Sequence, residues 1–454
     1  MGADHIPELN RRHQARLGVW FMTLVAVLLF SVAACGSRPV PPPATPAAES
    51  TPTSAAQPAA TPTAVITPTN GVTDLIWWTP EFLSPSAPGP AGLRLAEYLA
   101  EYEAARDGVV RVVPVLKAKY GKGGLLDYLR TAQPVAPSIM PDIVALDVAE
   151  LEQAAELGLL RPLDGLVAEE TVAGLYPFAR SAGRFGDQQL ALQYIADLEQ
   201  AAYDRSLLQQ PPQTWAGLLS NQTPYVFPAG NPSPPSTGSS GGDVQLNFIS
   251  RYLSAGGSFD AETRQLVLQE EPLTRVLTFY DDARKAGLLP ANIQEITNLD
   301  DTWTAYAEGA VPVADVSTRR YLAEQQSLRD SGLVAIPGWS GPAVPVATGW
   351  ALAIVTPDPE RQKAAADFIT WLLDAGRAGN WAQAAGWLPA SPAALATWKE
   401  GPLNESLGQQ LAIAISRPVG PEYAQAAPRI QEAIQAVLKG ESTPADAART
   451  ALAP

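Results

Sequence analysis

Histidine and cysteine are nearly absent from this 454-residue chain. The two histidines, His5 and His13, and the single cysteine, Cys35, all lie in its first 35 residues. Everything downstream therefore lacks a Ser-His-Asp triad, a Cys-His pair, a histidine-ligated zinc and a structural disulfide. Carboxylate or lysine chemistry remains, or no chemistry at all. An excess of positive charge is missing too. Against 46 acidic side chains stand 31 basic ones, a net charge of -15. A sequence-independent phosphate-backbone binder needs the opposite balance, so no nucleic-acid partner is expected. Motifs for bound ions and nucleotides are lacking as well. Gly121-Lys-Gly-Gly124 has neither the preceding glycine nor the following Ser/Thr of a phosphate loop. No alternating Asp/Asn loop for calcium occurs. Neither metal nor cofactor is expected.

What is present describes a globular protein, with 46% apolar and 17% charged residues. Its length exceeds the ~250–300 residues at which one core stops growing, so at least two lobes are expected. Arg11, Arg12 and Arg16 precede an uncharged run, Leu17 to Ala33, that ends in Val32-Ala33-Ala34-Cys35-Gly36. Basic, apolar, then small residues are the layout of a secretory signal. The junction resembles the bacterial lipobox, in which the leader (1–34) is removed and Cys35 is lipidated. The alternative is an uncleaved membrane helix, for which 17 residues is short of the ~20 a span needs. Either reading places the remainder outside the cytoplasmic membrane. Loss of 1–34 leaves 28 basic against 44 acidic side chains, a net -16. Residues 36–70 hold nine prolines among Ala, Thr and Ser and only two charges, Arg38 and Glu49. Such a segment extends and cannot build a core, so 35–70 reads as a tether and the folded body begins near Gly71.

From Val72 onward, short apolar runs alternate with amphipathic segments, the signature of an α/β architecture. Strands are expected at Asp74–Trp78, Val109–Val115 and Pro141–Leu146, and a helix at Leu93–Ala105. Asp147 with Glu150 forms a helix-capping arrangement, with Leu151, Ala154 and Ala155 as the buried stripe and Gly158 as the stop. Ala365, Phe368, Ile369, Leu372 and Leu373 repeat at helical spacing between Asp358-Pro359 and Gly376. Ile430, Ile434, Val437 and Leu438 do the same before Gly440, and Thr443-Pro444 opens a last helix. The Pro/Gly/Ser-rich stretch 228–242 is a surface loop by composition.

Four segments, in order, resemble the extracellular solute-binding proteins that feed sugars to ABC importers. They are Met140-Pro-Asp-Ile-Val-Ala-Leu-Asp147 with Glu156-Leu-Gly-Leu-Leu-Arg-Pro-Leu-Asp164; Ala201-Ala-Tyr-Asp-Arg-Ser-Leu-Leu-Gln-Gln-Pro-Pro-Gln-Thr-Trp215; Tyr306-Ala-Glu-Gly-Ala-Val-Pro-Val-Ala314; and Gly386-Trp-Leu-Pro-Ala390. The helix ending Leu438-Lys-Gly440 before Thr443-Pro-Ala fits the same pattern. Asp204 stands where the family mostly has Asn, and no acidic residue follows Thr214-Trp215. The resemblance implies a type II periplasmic-binding fold: two α/β lobes, hinge crossings and an interlobe cleft. By position the crossings fall near Leu190–Tyr194, near Ala310 and near Ala347–Leu352. Lobe one is then 71–190 plus 311–347, and lobe two 195–309 plus 350–454. The implied protein is a non-catalytic monomer that closes around its ligand and docks on permease subunits.

A sugar offers an apolar ring face to aromatic planes and a hydroxyl rim to carboxylates, amides and Arg. Eleven tryptophans, ten of them after the leader, supply candidates. Trp78 and Glu81 lie where the first strand ends, the edge that faces the crevice in open α/β sheets. Asp147 follows the third strand and serves either as cap or as ligand acceptor. Tyr194 and Asp197 come just past the first crossing. Asp315 and Arg319 form a possible bidentate rim or a surface ion pair. Trp339 and Trp350 flank the Gly341–Gly349 stretch, and Trp350, on an expected hinge, is the best aromatic platform. Trp303 and Trp387 are candidates that can also cover their own lobes. Tyr423 lies in a loop that closes over ligand in relatives. Trp371 and Trp215 read as packing and anchoring residues. The alternatives are a ligand-presenting sensor, a binder of a non-sugar solute such as a polyamine, and a glycosidase with paired carboxylates.

Overall fold

The computed structural model describes residues 73–232, 244–328 and 330–453. The leader, Cys35, the tether and most of the loop expected at 228–242 lie outside them. Among the described residues ten strands form one mixed sheet: β1 (Thr73–Thr79), β2 (Val110–Leu116), β3 (Ile143–Asp147), β4 (Ala191–Asp204), β5 (Tyr225–Val226), β6 (Val313–Ser317), β7 (Ser331–Val334), β8 (Val346–Ile354), β9 (Leu388–Pro389) and β10 (Ile415–Ser416). Its backbone order is β2-β1-β3-β8-β4-β6-β5. The principal helices are α1 (Pro90–Ala104), α2 (Glu270–Lys285), α3 (Thr318–Glu324), α4 (Pro359–Leu372), α5 (Ala375–Ala385), α6 (Pro421–Lys439) and α7 (Pro444–Leu452).

Local chemistry accounts for these elements. β1 and β3 are nearly all buried, as strands covered on both faces must be. Trp77 and Trp78 point to opposite faces, yet both are buried, Trp77 against Phe368 and Trp78 against Tyr128. In α4 the Asp358 carboxylate accepts from the Glu360 and Arg361 amides, and Ala365, Phe368, Ile369 and Leu372 face inward. The helix stops at Leu372, before Gly376, because Asp374 caps a new helix, α5. α6 ends on Gly440 in the left-handed conformation, and Thr443 caps α7. Thr214 caps the short helix Trp215–Ser220 without an acidic partner. Asp147 caps as expected, accepting from the Ala149 amide, but Glu150 does not complete the arrangement: its Oε2 is buried with no hydrogen-bond partner.

The organising element is β4. Its residues 191–198 pair with β8, whereas 199–203 pair with β6 and 201–204 with β7. Two half-sheets, β2-β1-β3-β8 on one stretch of β4 and β5-β6 with β7 on the other, therefore share a single continuous strand. β1, β2 and β3 are parallel, and β8 runs antiparallel to both β3 and β4. β4 thus leaves the first half-sheet in the direction of its carboxyl edge. β6 runs antiparallel to β4, so its carboxyl end, Ser317, returns to Glu199. The carboxyl edges of both half-sheets converge on residues 197–199.

This pairing changes the expected grouping of segments. The sequence places 311–347 in the first lobe, yet β6 and β7 pair with the far end of β4. Nor does the chain cross near Ala310, since the helix Leu299–Ala307 packs on β6, the strand that follows it. The sequence places 350–454 in the second lobe, yet within 350–416 β8 pairs with β3, α4 and α5 pack on α1, and β10 pairs with β8. Only α6 and α7 keep the expected side, against α2. The chain passes between halves through β4, through 335–345 and near 419–420. At the last passage Val419 N–H bonds Arg264 O, while Gly420 N–H bonds Glu152 Oε1. Gly349 is required at the β4–β8 contact: its φ is +139°, and a Cβ would sit 2.0 Å from Ile195 O.

Candidate functional site

Loops leaving the carboxyl edges build an aromatic cluster at this convergence. Phe82 follows β1, Lys119 and Tyr120 follow β2, and Asp147 ends β3, opposite Trp350 of β8. The Trp350 ring meets Phe82 edge-on at 5.2 Å and Tyr120 at 5.9 Å. Phe82 stacks on Trp387 with centroids 5.4 Å apart. Trp387 owes its place to Gly386, whose φ of +72° ends α5 and turns the chain. Trp350 is 3% exposed, while Phe82, Tyr120 and Trp387 are half-buried. The more accessible rings of the cluster are those of Trp387, Phe82 and Tyr120, whereas Trp350, expected as the aromatic platform, is buried.

Polar groups border the rings from both half-sheets. Asp147 accepts from Tyr120 Oη at 2.5 Å and from the Ala149 amide at 2.9 Å. Burial raises its pKa; Tyr120, Ala149, Arg417 and Lys119 oppose the rise. Glu150 is pushed up to about 8 by burial and by the Asp147 charge. Asp197 accepts from Ser317 Oγ at 2.5 Å and from the Arg319 and Leu198 amides at 2.9 Å each. Its pKa is raised by burial against these same partners. Arg319 itself is exposed, its guanidinium 5.0 Å from the Trp387 ring centroid. Lys119 is exposed as well, its ammonium 5.9 Å from the Phe82 centroid. The first half-sheet thus contributes the rings and Asp147, and the second contributes Ser317 and Arg319. An aromatic cluster edged by donors and acceptors suits a ring with an apolar face and a polar rim.

Of the residues singled out in the sequence, Glu81, Asp147, Asp197, Arg319, Trp350 and Trp387 fall in or beside this cluster. Glu81 is exposed next to Phe82. The others lie apart. Asp315 does not pair with Arg319. It is fully buried, bonded to Arg251 Nη2 at 2.7 Å and to the Tyr225 hydroxyl. Two residues before the end of β6, it sits under the covering helix Leu246–Ser254 that carries Arg251. Trp78 packs on Tyr128 and Lys117, away from the rings. Tyr194, at the irregularity where Trp350 and Ala351 shift register, is buried against Trp381. Trp303 is buried over Tyr306 and Tyr321, its Nε1 donating to Glu324 Oε2 at 2.9 Å. Trp339 is exposed at the edge of Trp215, beside Arg275, remote from the cluster. Tyr423 is buried near Arg417, whose charge also reaches Asp147. Phe82, Lys119, Tyr120 and Ser317 were not singled out. The carboxyl-edge rule that selected Glu81 and Asp147 also points to the loop after β2, where Lys119 and Tyr120 stand.

The sequence pattern of the bacterial extracellular solute-binding protein family matches residues 97–406, and the chain belongs to that family. Solved structures share the two-lobe fold. The cyclic alpha-maltosyl-1,6-maltose binding protein from Arthrobacter globiformis is 19% identical, with 84% of this chain and 97% of that one covered and a TM-score of 0.67. The maltose-maltodextrin binding protein of Alicyclobacillus acidocaldarius is 18% identical over 84% of this chain and 99% of its own, TM-score 0.62. The maltotriose binding protein of Thermus thermophilus is 18% identical over 83% and 98%, TM-score 0.59.

Proposed function

We propose that the chain is a lipid-anchored, extracellular carbohydrate-binding subunit of an ABC importer that carries its ligand unchanged. The observation that supports this reading most is the cluster of Phe82, Tyr120, Trp350 and Trp387 bordered by Asp147 from one half-sheet and by Ser317 and Arg319 from the other. A ligand resting there touches both halves. The described parts of one lobe are then 73–198 with 346–416, and of the other 199–334 with 421–453. Contact with both lobes gives the ligand higher affinity for the closed form, and that difference is what drives closure. The solved neighbours are named for maltose and related oligosaccharides, which favours a sugar here. Lipidation at Cys35, through the Pro-rich 35–70 segment, keeps the lobes near the permease subunits.

A thermal-shift panel on the detergent-solubilised full chain tests the ligand class. Mono- and oligosaccharides, polyamines and phosphate esters are compared. A one-site ligand at 100-fold over its Kd stabilises by ~2.7 kcal/mol, a readily measured shift in Tm. A saccharide hit is expected; a polyamine hit with every saccharide silent refutes the reading.

A further inference from the structure

The acceptors and donors of the cluster differ in how fully they are already engaged. Asp147 receives two hydrogen bonds from the chain and Asp197 three, so the carboxylates that a neutral sugar's hydroxyls would seek are largely occupied. Lys119 and Arg319 are the reverse. Both are exposed, and neither side chain makes a hydrogen bond or ion pair with the described residues. Each instead lies over an aromatic ring, Lys119 over Phe82 and Arg319 over Trp387. Neighbouring Arg320 shows the contrast, pairing with both Asp300 and Glu324. Phe82 and Trp387 are themselves stacked, so the two exposed cations flank one aromatic stack.

We propose that the solute is an anionic carbohydrate, its rings packed on Phe82 and Trp387 and its carboxylate, sulfate or phosphate groups taken by Lys119 and Arg319. The proposal rests on the sugar-binding reading above. Ammonium and guanidinium groups over a desolvating aromatic surface form stronger hydrogen bonds to anionic oxygens than to neutral hydroxyls. Arg319 is suited to a bidentate grip on a planar carboxylate, and Lys119 to a point contact. Glu150, behind Asp147, is pushed up to about 8 by burial and by the Asp147 charge, so it adds little negative charge there near neutral pH. In a chain of net charge -15, these two exposed cations are the groups at the cluster that attract an acidic ligand.

Titration calorimetry on the detergent-solubilised full chain tests this. Acidic probes are tri-galacturonate, tri-mannuronate, glucose 6-phosphate and a sulfated heparin disaccharide. Neutral probes are maltotriose, xylotriose and the methyl ester of tri-galacturonate. An acidic saccharide is expected to bind at least tenfold tighter than its neutral counterpart. Its affinity is expected to fall several-fold between 20 and 300 mM salt. Lys119→Gln with Arg319→Gln is expected to remove most of that salt dependence and at least tenfold of the affinity, with Tm unchanged. If maltotriose or the methyl ester binds as well as any acid, the charge assignment is overturned and the sugar reading stands. If no saccharide of either kind binds, both are overturned. A salt-insensitive affinity in the unaltered protein overturns the proposal whatever the variants do.

Discussion

At the scale of single residues, the cluster combines three half-buried rings with one buried ring, and the proposed site assigns ligand contact to the former. Trp387→Ala removes an open stacking face, and the expected loss of ligand affinity is about tenfold with little change in Tm. Trp350→Ala removes a side chain that is 3% exposed, so a lowered Tm accompanies any loss of binding, on the order of 3–5 kcal/mol in stability. Calorimetry beside thermal unfolding separates the two outcomes. Glu150 gives a pH signature. Its folded pKa lies near 8, above the ~4.3 of an exposed glutamate. Its proton is therefore bound more tightly in the folded state, and stability is fully present below pH ~4.3 and declines as pH rises toward about 8. Glu150→Gln removes that decline. A Tm profile from pH 5 to 8.5 flatter than that of the unaltered protein is expected; parallel profiles contradict it.

At the scale of elements, the shared strand β4 and the ion pair beneath it carry the architecture. Asp315 and Arg251 are both fully buried, and Arg251 also lies 4.3 Å over the Phe227 ring. Asp315→Ala strands a buried guanidinium, at an expected cost of ~3–5 kcal/mol in urea unfolding. Gly349→Ala drives a methyl group into Ile195 O, and a cost above ~1 kcal/mol is expected from the same measurement. Strands and helices were legible in the sequence because their signals are local. β1 to β3 show as apolar runs, α4 as helical spacing between a cap and a stop, and α6 as the same spacing before its glycine stop. The grouping of segments was not legible. Whether β6 joins the near or the far half of β4 depends on a pairing between residues over 100 positions apart, which no local pattern encodes. The same limit hid the fate of Asp315, whose partner Arg251 stands 64 residues away. Asp147 and Trp387 were legible because both sit directly after punctuating elements, a strand end and a helix-stopping glycine.

At the scale of the whole molecule, the two half-sheets meet at one continuous strand and two further passages, 335–345 and 419–420. A few connections of this kind restrict relative motion to bending about β4, where 14 residues at ~3.3 Å each span both halves. The cluster lies beside that strand, and the proposed closure is a rotation there that shuts the cluster over its ligand. Leu93 and Leu207, 70% and 67% exposed, lie one in each half and offer labelling positions clear of the cluster. The measurement that tests the clamp most directly is the electron-spin distance distribution between labels at Leu93→Cys and Leu207→Cys, with Cys35 replaced by Ser. Saturation with the saccharide found in the binding panel is predicted to shift and narrow the distribution. An identical distribution with and without bound saccharide contradicts a mechanism in which the solute closes the two halves.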